Sequence, residues 1–366
     1  MSPSTKRVAL NRMAAPKVPK YWRLVEHFRA QIESGELVPG DRLPSLAEMK
    51  EQGVSRPVME KVHQILESEH IIIRQPGSGT FVCPPKKREA TGIFGVCGYG
   101  FGFTNQSSYW NTLVGSLREA AAEHDFQLLL LDYDSTRGWE KADGVLLLDW
   151  SANETLRHVP TEIPCVSIMV RIEGMASVYA DDYSGARAAT EYLIDQGHSR
   201  IAYLHGRDHT VALQRITGYK DALKNAAIKP FKSWMRKLQG GIDYGEQFIE
   251  AGHDAMNQWL DEDWKSLGCT ALLAHNDETA IGVLAALREA EISVPEQVSV
   301  IGFDGLQIGD YVAPRLTTVE VPLREIGARA VEMLRAQIVA DVPGGESEVL
   351  PMKLRVRESV APRASS

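Results

Sequence analysis

The sequence predicts an α/β protein in two parts: a small helical head with a β-hairpin, then a larger body on a doubly wound parallel sheet. Three observations predict it. Residues 20–83 hold three short amphipathic segments and then two apolar runs split by a Gly-rich turn. From about residue 92 onward, short apolar runs alternate with helical periods. The stretch Pro84 to Arg88 (PPKKR) separates the two patterns.

The length of 366 residues corresponds to two or three domains and allows a core that needs no disulfide or metal staple. Apolar residues make up 44% and charged residues 24%, as in ordinary soluble proteins. The longest obvious apolar run, Phe126 to Leu131, is far short of the ~20 residues a bilayer span requires. The polar, basic N-terminus has no signal-peptide h-region. Cys83, Cys97, Cys165 and Cys269 lie far apart without CxxC spacing, so isolated thiols in a reducing, cytoplasmic compartment are expected, with no metal and no cofactor.

The net charge of −8 hides a split. Residues 1–90 hold 15 Lys/Arg and 10 Asp/Glu, a balance of +5, and the remaining 276 carry −13. A basic head on an acidic body points to a polyanion at one end only.

In the head, residues 1–19 lack periodicity and carry Lys6, Arg7, Arg12 and Lys17, which reads as a flexible basic arm. Tyr21, Leu24, Val25, Phe28 and Ile32 recur at helical spacing until Gly35. Ser45-Leu46-Ala47-Glu48 forms a capping box that starts a second helix, closed by Gly53. Ser55 is a good N-cap for a third helix, with Pro57 in its first turn and Val58, Val62, Ile65 and Leu66 on its buried face. Ile71 to Ile73, the turn Gln75 to Gly79 and Thr80 to Val82 read as a hairpin. Three helices and a hairpin outline a winged helix-turn-helix over 20–83, whose third helix suits the DNA major groove. Residues 84–91 are the linker, in which Pro-Pro resists both helix and central strand.

Strands in the body are predicted at Ile93–Cys97, Phe126–Leu131, Gly144–Leu148, Cys165–Met169, Ile201–His205, Ala271–Ala274 and Val298–Phe303. Helices follow at about 110–123, 184–196, 213–226, 245–260, 278–290 and 323–338. Ligands of such sheets bind outside the carboxyl ends of the strands. There stand GYGFGFTNQSSYW after 97, GRDHTVALQRITGY after 205, His275-Asn276-Asp277-Glu278, and Asp304-Gly305. Aromatic faces together with Arg, Asn and Asp suit a small polyhydroxylated ligand.

Two resemblances sharpen this reading. IESGELVPGDRLPS, GVSRPV and ILESEHIIIRQPGSGTFV, in that order, resemble the GntR (gluconate-repressor) family of DNA-binding heads. DDYSGARAATEYLIDQGHSRIAYLHG, RITGYKDAL, AHNDETAIGVLAALREAEISVPEQVSVIGFDG and LTTVEVPLREIGARAVEML resemble the LacI/GalR (lactose/galactose repressor) effector body. Such a head on such a body is the domain order of bacterial arabinose repressors.

The resemblance implies a two-lobed, type I periplasmic-binding-protein-like body over 92–362. Its lobes would comprise about 92–176 with 318–340, and about 177–317 with 345–362. It sets Ser45, Ser55, Arg56, Pro57, Lys61, Gln75 and Gly77 at DNA, with Ser55 on phosphate and Arg56 on a base edge. It sets Tyr99, Trp110, Arg171, Arg215, Asn276, Asp277 and Asp304 around the effector, with Phe103 and Tyr109 as further aromatic candidates. The chain departs from the family pattern at Ala47 and Glu60, where relatives often carry Arg. It also departs in the short stretch between Leu131 and Gly144, where they place a longer helix.

Several residues invite other readings. His198 belongs to a family turn and reads as structural. Gly98 to Gly102 lacks the glycine that a dinucleotide loop needs at Phe103, and no nucleophile elbow, Walker lysine or HExxH is present. The expected function is a sequence-specific DNA-binding regulator, a repressor of carbohydrate-utilisation genes released from its operator by a sugar-like effector, acting as a homodimer without a membrane partner. The alternatives are a corepressor-type regulator, an enzyme or a pure sugar-binding receptor. An aminotransferase-like enzyme body needs more than 276 residues and a Schiff-base lysine, and the basic head argues against a receptor.

Overall fold

Three sheets organise the strands of the computed structural model, which describes residues 19–69, 71–75, 78–83, 90–98, 108–131, 138–148, 163–206, 209–238, 248–340 and 344–363. The expected basic arm, the wing tip with Gly77, the tether 84–89, Tyr99 and Phe103 lie outside these residues. The chain divides into two units, Met1–Glu89 and Ala90–Ser366.

The first unit holds α1 (Lys20–Glu33), α2 (Leu46–Glu51), α3 (Arg56–Ser68) and the antiparallel strands β1 (Ile72–Gln75) and β2 (Gly79–Val82). Leu24, Val25, Phe28, Met49, Met59, Val62 and Leu66 close one apolar core. The buried face of α3 is Met59, Val62, His63 and Leu66, while Val58 and Ile65 are only half-buried at its margin. The helix is thus turned by about one residue from the expected face. Gly79 at the start of β2 has φ +131°, and a Cβ there would stand 2.8 Å from Arg42 Nε, so glycine is required where the wing folds back.

The body begins with β3 (Ile93–Gly98), α4 (Ser108–Ala122), β4 (Gln127–Leu131), β5 (Gly144–Leu148), β6 (Cys165–Ile168) and β7 (Ala176–Ala180). It continues through α5 (Asp182–Asp195), β8 (Ile201–His205), α6 (Thr210–Asn225), β9 (Met235–Lys237), α7 (Phe248–Glu262), α8 (Trp264–Leu267), β10 (Ala271–Ala274), α9 (Asp277–Glu289), β11 (Ser299–Asp304) and β12 (Thr317–Glu320). Then α10 (Leu323–Ala340), β13 (Glu348–Leu350) and β14 (Lys353–Arg355) close the chain. Lobe one is the parallel sheet β13-β7-β6-β5-β3-β4, and lobe two is β14-β12-β11-β10-β8-β9, with β14 alone antiparallel.

The lobe boundaries differ from those expected. β7 hydrogen-bonds to β6, so lobe one runs to Ala180 and not to residue 176. β12 pairs with β11, so lobe two holds Thr317–Glu320 before the chain returns to lobe one in α10. β13 lies on β7, so the last crossing falls at 351–352, beyond the expected 340–345. The sequence understated these strands because ASVYA and TTVE are short and rich in small or polar residues.

Two local devices replace missing length. The short connection between β4 and β5 forms a 3-10 turn at Trp139–Lys141, and the buried Trp139 closes the cluster of Cys97, Leu131, Val145 and Cys165. Asp143 then clasps the entry to the body: it accepts hydrogen bonds from Thr91 N (2.8 Å), Thr91 Oγ1 (2.9 Å) and Gly92 N (2.9 Å).

Candidate functional site

In the head, a stripe of exposed residues runs along α3: Arg56, Pro57, Glu60, Lys61 and Gln64. Ser55 has N-cap backbone angles, but its exposed hydroxyl makes no cap hydrogen bond, contrary to the capping role expected from its position. It is left able to donate to an anion. Arg56 Nε donates to Glu60 Oε1 at 2.7 Å, one helical turn on, and Lys61 Nζ donates to Gln64 Oε1 at 3.3 Å. Ser45 is committed to the box that starts α2, with its N–H donating to Glu48 Oε2 at 2.6 Å and its Oγ accepting from Glu48 N at 3.2 Å. Gln75 stands opposite Gly79 at the last register position of the wing.

In the body, the centre is Arg215 on α6. Its Nε donates to Asp182 Oδ1 at 2.6 Å, one terminal nitrogen donates to the His275 carbonyl at 2.9 Å, and the other lies 3.6 Å from Asp304 Oδ1. The guanidinium stacks on Phe303, 3.7 Å from the ring centroid. All three charged side chains are buried. Burial lifts the carboxyls of Asp182 and Asp304 above the usual range, and Arg215 opposes that lift. Burial also works against the charge on Arg215, but Asp182 and then Asp304 outweigh it and hold the guanidinium protonated.

Two members of this cluster, Asp182 and Arg215, line a cavity between the lobes. Tyr109, Leu113, Met169 and Ala180 come from lobe one, and Asp182, Val211 and Arg215 from lobe two, leaving free space of about 10 Å³. That is room for about one water. Burial, then the charges of Asp304 and Asp182, push the Tyr109 phenol well above its usual range, so it stays neutral. Burial lifts the Glu278 carboxyl at the start of α9 above its usual range, and the backbone of Ser108, at the start of α4 in lobe one, opposes that lift. Two residues of this region have strained backbones: Met169, which lines the cavity, at φ +87°, and Asp304, beside Arg215, at φ +105°. Left-handed conformations of non-glycine residues gather at functional sites.

The expected effector residues divide. Asn276 follows β10 and Asp304 ends β11, and Arg215 reaches from α6 to Asp304 and to the carbonyl of His275, the residue before Asn276. Asn276 caps α9, its Oδ1 accepting from Thr279 N at 2.8 Å. Asp277 does something else: it is fully buried, its Oδ2 accepts from Leu306 N at 2.6 Å, and its Oδ1 accepts from Thr318 Oγ1 at 2.5 Å. A Cβ on Gly302 would come within 2.2 Å of that carboxylate, so glycine makes room for it. Asp277 thus ties the loop after β11 to β12, and both its oxygens are spent on the fold. Trp110 is buried in the core, edge-on to Tyr109 at 5.9 Å, and Tyr109 is the aromatic residue that lines the cavity. Arg171 is exposed on the loop between β6 and β7, apart from the buried cluster. His198 is structural, bonded to Thr270 Oγ1 at 2.8 Å and to the Ala361 carbonyl at 3.2 Å. Sequence reasoning missed Asp182 and Glu278. The signal for Asp182 was its place directly after a strand, which went unread with β7.

Comparison with known proteins agrees with this arrangement. Residues 20–82 match the bacterial regulatory proteins of the gntR family, and residues 190–360 match the periplasmic binding protein-like domain. The ribose operon repressor of Escherichia coli (strain K12) is 30% identical over 243 residues, covering 62% of this chain and 70% of that protein. The transcriptional repressor PurR of Vibrio vulnificus (strain CMCP6) is 32% identical over 213 residues, covering 57% of this chain and 61% of that protein, less than two thirds of its length. Among solved structures, a complex of the transcriptional regulator CelR with cellobiose superposes with a TM-score of 0.63 at 25% identity, over 84% of this chain and 91% of that one. These relatives and domains are transcriptional regulators, not enzymes, and among the described residues no helix is long and apolar enough to cross a membrane. The chain belongs to the LacI/GalR family of DNA-binding transcriptional regulators, with a GntR-family winged helix-turn-helix as its head and a periplasmic-binding-protein-like body.

Proposed function

We propose that the protein is a cytoplasmic repressor of carbohydrate-utilisation genes that binds its operator as a homodimer and leaves it when a sugar-like effector enters the cleft between the lobes. The observation that carries this reading is the buried Asp182–Arg215–Asp304 cluster beside the interlobe cavity. Two carboxyl groups and a guanidinium held by their mutual contacts present acceptors and donors to neighbouring hydroxyls, and Leu113, Met169 and Val211 cover the apolar face of a sugar ring. Arg215, Asp304 and Asn276 are the proposed polar contacts, with Tyr109 as the aromatic wall.

Space for one water does not hold a sugar, so effector exchange requires the lobes to part. The Ser108–Glu278 contact then breaks and re-forms with each exchange. An effector shifts such an equilibrium only by its difference in affinity for the two forms, and about 1–3 kcal/mol is typical of the coupling. On DNA, Ser55 and Lys61 meet phosphates, and Arg56 reaches a base edge.

A thermal-shift screen with pentoses, hexoses, uronates and sugar phosphates tests the reading, because a ligand that binds only the folded form raises its melting temperature. A stabilising sugar that also dissociates the protein from its operator supports induction. Tighter operator binding in its presence supports the corepressor polarity instead. A screen in which no sugar stabilises the protein overturns the effector class.

A further inference from the structure

We propose that Glu60 is a specificity-determining residue, which accepts a hydrogen bond from cytosine N4 beside a guanine read by Arg56. The inference rests on α3 being the DNA-reading helix, and it goes beyond that reading by assigning a base to an acidic side chain.

The local physics of α3 is unfavourable in a way that stability does not explain. Arg56 is the first residue of the helix, where the dipole favours negative charge, and no acidic residue stands in the first turn. Among the described residues it pairs with Glu60, four residues on, at 2.7 Å. The Arg-to-Glu order at this spacing is the weaker one, and pairs this exposed contribute little to folding. The side chains remain 77% and 50% exposed, so neither is held for packing.

An acidic group here also repels the phosphates that the rest of the stripe attracts. An acid is kept on such a face when it does something there that a neutral residue does not. Glu and Asp pair with cytosine N4, as Arg pairs with guanine O6 and N7. The Nε contact with Glu60 occupies one edge of the guanidinium and leaves its two terminal nitrogens for a bidentate contact. A carboxylate and a guanidinium held one helical turn apart suit adjacent base pairs in one groove. Without DNA they neutralise each other, which lowers attraction to non-specific phosphate.

The test is selection of binding sites by the full-length protein from a randomised duplex library, comparing wild type with E60Q, E60A, R56A and E67Q. Glu67 is the control for charge, because it pairs with Arg74 at the other end of α3. Wild type is expected to enrich a motif with guanine and cytosine at adjacent positions of each half-site. E60A should lower the cytosine preference about tenfold or more while keeping the rest of the motif, and E60Q should move that position toward adenine, the base a Gln amide pairs with. E67Q should leave every base preference unchanged. Retention of the wild-type motif by E60A and E60Q overturns the proposal, as does a loss confined to the guanine position. Failure of the wild type to enrich any motif, with R56A indistinguishable from it, overturns the DNA-reading role of α3 and this proposal together.

Discussion

Asp182 holds the Nε of Arg215 at 2.6 Å, with both side chains buried at the junction of the two lobes. The pair links the first residue of α5 to the middle of α6, so it braces lobe two as well as lining the cavity. Removing Asp182 takes the 2.6 Å partner from a buried guanidinium and leaves it the longer contact to Asp304 and the His275 carbonyl. Asp182→Ala should therefore destabilise the protein by about 3–5 kcal/mol in chemical denaturation. The double variant D182A/R215M should recover little of that loss, because it leaves the buried Asp304 without its guanidinium.

Asp304 carries the clearest mark of selection for function, a φ of +105° on a residue with a side chain. Asp304→Ala keeps the strained backbone and removes the carboxylate. It should abolish the melting-temperature rise produced by whichever sugar stabilises wild type, and operator affinity without sugar should stay as in wild type. A full sugar response in this variant, read by thermal shift and by operator release, would remove Asp304 from the site.

Arg56→Ala should weaken binding to a selected operator by about 1–3 kcal/mol in a fluorescence-anisotropy titration, with the sugar-induced thermal shift unchanged. Ser55→Ala should lower affinity for specific and random duplexes by the same factor, because a phosphate contact carries no sequence information.

Asp277 gives the protein a pH signature. Burial lifts its carboxyl to about 7 against the hydrogen bonds from Thr318 and Leu306. A folded-state pKa above that of the unfolded chain means that folding takes up a proton, so this group adds stability as pH falls through about 7 toward the ordinary carboxyl range. Asp277→Asn removes the titration while preserving the shape. Between pH 8 and pH 6, wild type should gain about 1.4 kcal/mol relative to the Asn variant. Asp277→Ala should cost about 1–3 kcal/mol at either pH, because it leaves Leu306 N unpaired.

What was legible in the sequence follows from how local each signal is. Gly144–Leu148, Ile201–His205 and Ala271–Ala274 were read to the residue because each is a buried, near-continuous apolar run, broken only by His205 at the end of the second. The box at Ser45 was read because both of its hydrogen bonds span three residues. β7 and β12 were missed because their places are set by pairing with distant strands, not by their own apolar content. Asn276 and Asp304 stand at the carboxyl ends of strands, whereas Arg215 lies within α6 and was legible only through the resemblance of RITGY to a family motif. Asp277 carries the same local signature as Asn276, and only the loop it ties, 29 residues on, shows that it serves the fold. Glu60 was noticed as a departure in charge, but its pairing with Arg56 is a side-chain choice that composition does not reveal.

The clasp of Asp143 on Thr91 and Gly92 has a mechanical consequence. β3 lies inside its sheet, between β5 and β4, and its hydrogen bonds to both run across the strand direction. Tension arriving from the N-terminal side enters at Thr91 and runs along β3, so the two ladders resist it in shear, many bonds at once, and the strand is not peeled away bond by bond. The carboxylate anchors the point where that load enters. When head and body pull against each other, lobe one resists along β3, and the deformation is left to the three crossings between the lobes.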